Sequence, residues 1–460
     1  MKRSLWLPLF AMLLALNLRA AGELPQPEIV RLANGVTVFI HPDSDLPLVS
    51  FRLLIQGAGT AAPLAGEGVA DLTAALLLKG TATRPAAQLA EEIDFLGARL
   101  TSGTAEEYYE MYGGVLSENF PALLALAAEC LAAPALSEEE FAKEQQRRLE
   151  TVKAIKDDPA EAVQPYFRKA YFGLHPWGKL DIGGQGSLTR MSVEDVRRFH
   201  GEYLRPERAI MAVVGDVKPE AIKKLLADTL GKWQAAGQPP EPVPPPPLPV
   251  PKGKSCLLID KPDATQAYFI LGVPGLAMGD KLTADSQVMN TLFGGRFTSW
   301  LNTELRIKRG LTYGAHSGFE SWRPGGLFTV ASYTKNDKIG EMLGITFDLI
   351  EKARGAGFSA KEVESARNYI LGQFPLTLET LAAKTRAYVQ LYFYGLGFTY
   401  YGDLLKRINA MKLPEVNALA KQVMPAGDFI LVVVGKAGEI RQQLAKFGQF
   451  TERKISEPDF

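Results

Sequence analysis

Cysteine and histidine are nearly missing from this chain of 460 residues, which holds two of the first and four of the second. Cys130 and Cys256 fall in different parts of the sequence, so a disulfide framework is excluded and each reads as a small buried apolar residue. His41, His175, His200 and His316 include no pair at i, i+3 or i+4, so no local imidazole pair is offered to a metal. An excess of either charge is missing too: 51 Lys and Arg balance 51 Asp and Glu, for a formal net charge of zero, and no dense basic run occurs. That removes the electrostatic footprint expected of a partner for nucleic acid or an anionic membrane. Apolar runs of the roughly 20 residues needed to span a bilayer are absent as well.

The longest apolar run, Leu5 to about Leu18, follows Lys2 and Arg3 and precedes Ala20, Ala21 and Gly22. This is the layout of a cleavable secretory signal peptide, assigned to residues 1–21. With no cysteine nearby to carry a lipid, the expectation is a periplasmic protein with no membrane attachment once the signal is removed. The remaining composition, 47% apolar and 22% charged, is that of a soluble globular protein long enough for two or more domains with their own cores.

A proline-rich run divides the mature chain. Residues 235–252 cannot build a helix or a central strand and read as an extended spacer between domains at 27–234 and 253–450. The halves echo one another. Met191-Ser-Val-Glu-Asp-Val, Pro206 and Ala209 to Gly215 return about 220 residues later as Met411-Lys-Leu-Pro-Glu-Val, Pro425 and Phe429 to Gly435. A period that long suits a duplicated domain and not a solenoid. Strands are expected at Val36 to Ile40 and Leu48 to Ile55, and again at Cys256 to Ile259 and Gln266 to Gly272. Long helices are expected at Asn119 to Ala132, Ser137 to Lys156, Lys338 to Arg354 and Ser359 to Leu371, the last with Ser359 as N-cap. The order of elements predicts an α+β fold of two homologous domains, each a mainly antiparallel sheet with helices over one face.

One local pattern carries chemistry. In Leu305-Arg306-Ile307-Lys308-Arg309-Gly310-Leu311-Thr312-Tyr313, Gly310 reads as the residue just past a helix end. Arg306 then falls in the last helical turn and Tyr313 on the following strand, both facing one cleft. A guanidinium and a phenol are donors suited to carbonyl oxygens. Taken alone, Arg306 is also an ordinary helix-end cation and Tyr313 an ordinary strand aromatic. Gly294 and Gly295 precede Arg296 without a phosphate-loop pattern, and read as a tight turn with Thr298 or Ser299 capping the next helix.

The mature chain resembles the insulinase/pitrilysin-type metallopeptidases, in particular the processing-peptidase-like bacterial members. The resemblance rests on Gly68 to Thr81, Asp157-Asp-Pro159, Leu174-His-Pro-Trp-Gly178, Ala209 to Gly215 and Leu305 to Tyr313, in order along both halves. It implies a metallohydrolase clamshell whose like-folded halves enclose a chamber for unfolded peptides. It also exposes a departure. Catalytic members carry H-x-x-E-H on the helix matching Gly68 to Thr81, two imidazoles for zinc and a carboxylate for the water. The three positions here are Asp71, Ala74 and Ala75, and Glu150 stands in the place of the usual third ligand. One carboxylate beside Asp71 cannot hold zinc or polarise a water. Otherwise Asp71 is a first-turn carboxylate favourable at a helix N-terminus, and Glu150 a solvated surface residue.

By the same resemblance, zinc-free subunits carry Arg and Tyr at the spacing of Arg306 and Tyr313, which bind substrate peptide and support the scissile carbonyl at a partner's zinc. The sequence therefore predicts a non-catalytic, substrate-binding subunit of a heterodimeric peptidase, with no metal of its own and a homologous zinc-bearing partner. The alternative is a peptide-binding or structural scaffold with no peptidase role.

Overall fold

The computed structural model describes residues 24–460 apart from Leu64, Ala236, Pro239 and Pro242. The expected signal peptide lies outside the described residues. Among these, the strands are β1 (Glu28–Arg31), β2 (Thr37–Pro42), β3 (Leu48–Gln56), β4 (Arg99–Thr104), β5 (Tyr108–Leu116), β6 (Ala209–Gly215), β7 (Lys254–Asp260), β8 (Gln266–Gly275), β9 (Ala315–Trp322), β10 (Gly325–Lys335), β11 (Phe429–Gly435) and β12 (Phe450–Lys454). They form two six-stranded sheets, ordered β1-β2-β6-β3-β5-β4 and β12-β7-β11-β8-β10-β9. Position for position, β2, β6, β3, β5 and β4 match β7, β11, β8, β10 and β9. In both sheets the first pair of that series is parallel and the rest antiparallel. The outermost strand differs in origin: β1 pairs antiparallel with β2, whereas β12 comes from the other end of the chain and pairs parallel with β7.

That last pairing corrects one boundary. The C-terminal sheet is incomplete at residue 450, since β12 extends to Lys454. Beyond it the chain returns to the first half, where the Phe460 ring lies 5.3 Å from that of Tyr166 and Lys156 donates to the Pro458 carbonyl at 2.9 Å.

The helices lie close to where periodicity and caps place them. Phe120–Ala132, Glu138–Asp157, Ile339–Gly355 and Ala360–Gln373 are observed. Ser359 caps the last, accepting from the Glu362 amide while the Glu362 carboxylate accepts from the Ser359 amide. This reciprocal closure satisfies two donors that a bare helix end leaves unpaired.

Helices cover both faces of each sheet, not one. In β11, Phe429, Leu431 and Val433 face the C-terminal helices, while Ile430, Val432 and Val434 join the core of the N-terminal half. The covering element there is the helix Pro159–Phe172, whose Phe167 is fully buried against β8. The first sheet is treated the same way. Ile210, Ala212 and Val214 of β6, with Phe39 and Leu54, pack on Ala387, Tyr388, Val389, Leu391 and Phe393. Those five belong to the helix Leu381–Phe393 of the second half. Each half thus lends one helix to the other's open sheet face, and this is why β6 and β11 are buried at every position. The exchange is further fixed by the Lys384–Asp43 ion pair and by donation from the Tyr388 hydroxyl to the Pro25 carbonyl at 2.8 Å.

The proline-rich run has neither helix nor strand among its described residues. It is tethered to the first half by Arg205 to the Gly237 carbonyl at 2.7 Å and by His175 at 3.1 Å from the Pro246 carbonyl.

Candidate functional site

The chain segment after α-helix Thr283–Phe293 turns sharply at Gly294 and Gly295, as the sequence predicts. A methyl on Gly294 would stand 2.4 Å from the Ser317 amide nitrogen, and one on Gly295 2.7 Å from the Asn290 side chain, so neither position tolerates a larger residue without displacement. Ser299, fully buried, accepts from the Asn302 amide at 3.4 Å and starts the next helical segment. Residues Asn302–Lys308 are wound as a π-helix, a wider turn often found where a site is built. Gly310, at φ +62°, stops it in the left-handed conformation expected of the residue past a helix end.

Arg306 lies in that π-helical segment, but Tyr313 does not lie on a strand. β9 begins two residues later, at Ala315. Side chains take the bonds a ladder would have made: Thr312 Oγ1 donates to the Gly314 carbonyl at 2.9 Å, Ser332 Oγ to the same carbonyl at 2.9 Å, and Thr334 Oγ1 to the Leu311 carbonyl. The Tyr313 carbonyl accepts from Arg306 Nη1 at 2.7 Å. The structure therefore brings the two residues together through a backbone bond, leaving the Tyr313 side chain 79% exposed. A third member went unnoticed in the sequence: the Arg306 guanidinium lies over the Phe297 ring, 4.8 Å from its centroid, in the cation–π range. Phe297 is 58% exposed. Its only sequence signal was an aromatic directly after the Gly-Gly turn. The three form an open platform beside β9, the edge strand of its sheet.

The zinc-motif positions lie in the first half on the helix Val69–Leu76, which follows β3 as Thr283–Phe293 follows β8, and which packs beside the edge strand β4. Ser102 of β4 donates to the Ala74 carbonyl at 2.8 Å, and Thr104 to Asp71 at 3.3 Å. Ala74 is buried and offers only a methyl. Asp71 is engaged by Arg148, Nη2 to Oδ2 2.7 Å. Glu150 does not face it. The inward stripe of the helix Glu138–Asp157 is Phe141, Glu144, Arg148 and Val152, and Glu150 is exposed, accepting from Gln146 at 2.9 Å. Its neighbour Thr151, half-buried and three residues on from Arg148, lies nearer that face, with its hydroxyl donating to the Arg147 carbonyl at 2.9 Å. This donor set does not fit zinc: one carboxylate already paired with a guanidinium, two methyls and a hydroxyl. Among the described residues, no group of three or more His, Cys, Asp or Glu side chains could hold a metal ion.

Residues 38–180 match the model of the family described as Insulinase (Peptidase family M16), and residues 190–370 match that described as Peptidase M16 inactive domain. The chain belongs to the insulinase family. An uncharacterized zinc protease of Bacillus subtilis, YmxG, is 25% identical over 408 residues, 88% of this chain and 98% of that protein. Another, from Streptomyces coelicolor, is 28% identical over 354 residues, 76% of each. Among solved structures, a peptidase M16 inactive domain from Pseudomonas fluorescens superposes with a TM-score of 0.82 at 23% identity, covering 89% of this chain and 97% of that one. A protease from Helicobacter pylori gives 0.83 at 21% identity, covering 89% and 100%. These likenesses agree with two homologous α+β domains. The insulinase-family chain described here lacks the family's H-x-x-E-H at Asp71, Ala74 and Ala75.

Proposed function

We propose that this chain is the substrate-binding, non-catalytic subunit of a heterodimeric insulinase-family peptidase, with zinc and H-x-x-E-H supplied by a homologous partner in the periplasm. The observation that carries the reading is the platform of Phe297, Arg306 and Tyr313. Its guanidinium is held in place by the Tyr313 carbonyl, and its phenol stands free in solvent. Donors aimed at a peptide carbonyl or a developing oxyanion are strong in a dry site and weak in water. On a single chain the platform is open, so a second surface must close over it before these donors can contribute to peptide turnover. An extended peptide would lie along the edge of β9, which has a ladder partner on one side only.

The test is co-expression with a homologue bearing H-x-x-E-H, followed by size-exclusion chromatography and peptide-cleavage kinetics. A 1:1 complex should form, and Arg306→Ala and Tyr313→Phe should each lower kcat by roughly 10²- to 10³-fold without changing assembly or the partner's zinc content. Full activity in both variants on every peptide tried returns Arg306 and Tyr313 to a helix-end cation and a surface aromatic. Failure to associate under any salt condition favours the scaffold reading, in which the occupied guanidinium has only its structural contacts.

A further inference from the structure

The gap between the helices Val69–Leu76 and Glu138–Asp157 is not a blank. Arg148, 4% exposed, projects into it from the inward stripe and places Nη2 2.7 Å from Asp71 Oδ2. Asp71 is the one motif position that keeps an ionisable group. One turn earlier on the same stripe, Glu144, 5% exposed, is paired with Arg147 at 2.6 Å and with Lys79 at 3.4 Å. Both acids of this region are therefore matched by cations of the chain itself. A guanidinium stays charged at any working pH and cannot dissociate as a metal can.

We propose that Arg148 is a covalent substitute for the family's metal: a fixed cation that neutralises Asp71, ties the motif helix to its neighbour, and bars a divalent ion from the gap. The substitution is independent of any partner. It makes the chain's fold insensitive to metal, and it makes the loss of the metal site deeper than three residues. A divalent ion entering between the helices would meet the guanidinium at a few ångströms in a water-poor setting, where like charges repel strongly. Among the described residues Arg148 Nε has no hydrogen-bond partner, so the group is held by Asp71 and its packing and not by a network that could hold it aside for an incoming ion. Restoring the ligands alone will therefore not restore the site.

In the full chain, D71H/A74E/A75H/T151E supplies two imidazoles, the base and a carboxylate on the neighbouring helix, and the comparison is with the same variant carrying R148L. Zinc affinity is read by competition with a chromophoric chelator. The Arg148-containing variant should bind zinc at least about tenfold more weakly, and only removal of the guanidinium should give one tightly held zinc per chain. Affinities within about twofold of each other would overturn the proposal. Should the restored variants fail to fold by circular dichroism, R148M, D71N and the double variant decide. Each single should lower Tm, the double no further than the worse single, with zinc changing none of the three values. Losses that add, or a Tm of the natural chain that rises with zinc, would refute it.

Discussion

The exchanged helices can be tested at one contact. Phe167, on the helix lent by the first half, packs over Gly272 of β8 in the second. A methyl added at Gly272 would meet Phe167 Cζ at 2.2 Å and Cε2 at 2.6 Å, far inside van der Waals contact, and Phe167 is fully buried. Gly272 has no positive φ, so Gly272→Ala brings no backbone strain and its cost comes from the collision. Overpacking of this kind costs about 1–3 kcal/mol. Phe167→Leu removes the ring atoms that collide, and costs about 1–3 kcal/mol as lost burial and cavity. Together the two changes compensate, because the new methyl fills part of the space the ring edge leaves. The double variant should be no less stable than Phe167→Leu alone, a coupling of about 1–3 kcal/mol between residues in different halves. Urea unfolding followed by tryptophan fluorescence is suited to this, since Trp177 and Trp322, one from each half, sit at the seam with ring centroids 6.4 Å apart. Additivity within about 0.5 kcal/mol would falsify the packing described.

Three further outcomes are expected. Burial lifts the Glu107 carboxyl above the usual range, with Arg323 and then the hydrogen bond from Tyr394 opposing it. A raised folded pKa gives a contribution that is full below the unfolded value and lost as pH rises through the folded one, so Glu107→Gln should remove a fall in stability on going from acid toward neutral pH, as read by thermal melts of both forms. Ser359→Ala should cost about 1 kcal/mol by opening the capping box, measured in the same urea titration, and an unchanged midpoint would show that the cap is dispensable. The purified chain should carry no stoichiometric zinc after dialysis and hydrolyse no unfolded peptide; one zinc per chain with chelator-sensitive turnover would contradict the reading of Ala74 and Ala75.

Much of the fold was legible because its signals are local. The runs Ala209–Gly215 and Phe429–Gly435 are too apolar to be anything but central strands, and their repetition exposes the duplication. Ser359 announces its helix by a side-chain cap. The exchange of Pro159–Phe172 and Leu381–Phe393 was illegible, because which helix covers which sheet depends on partners far apart in sequence. At the site, Gly310 correctly marked the helix end, but the bonds of Thr312, Ser332 and Thr334 that keep Tyr313 off the strand join residues no pattern links. Arg148 was hidden by its surroundings. In a helix as charged as Glu138–Asp157 a buried arginine looks like one more solvated residue until its stripe with Phe141, Glu144 and Val152 is seen.

The reciprocal helices also set an order of events as the chain emerges to fold. While only the first half has emerged, its sheet still lacks the cover for Phe39, Leu54, Ile210, Ala212 and Val214, since that cover is Ala387 to Phe393. The nascent first half is a sandwich with one side bare, and completion waits until nearly the whole polypeptide exists. Folding domain by domain, the usual route for a duplicated protein, is closed to it. A truncated first half released alone would expose that apolar face, making it a substrate for chaperones and not a smaller version of the native protein.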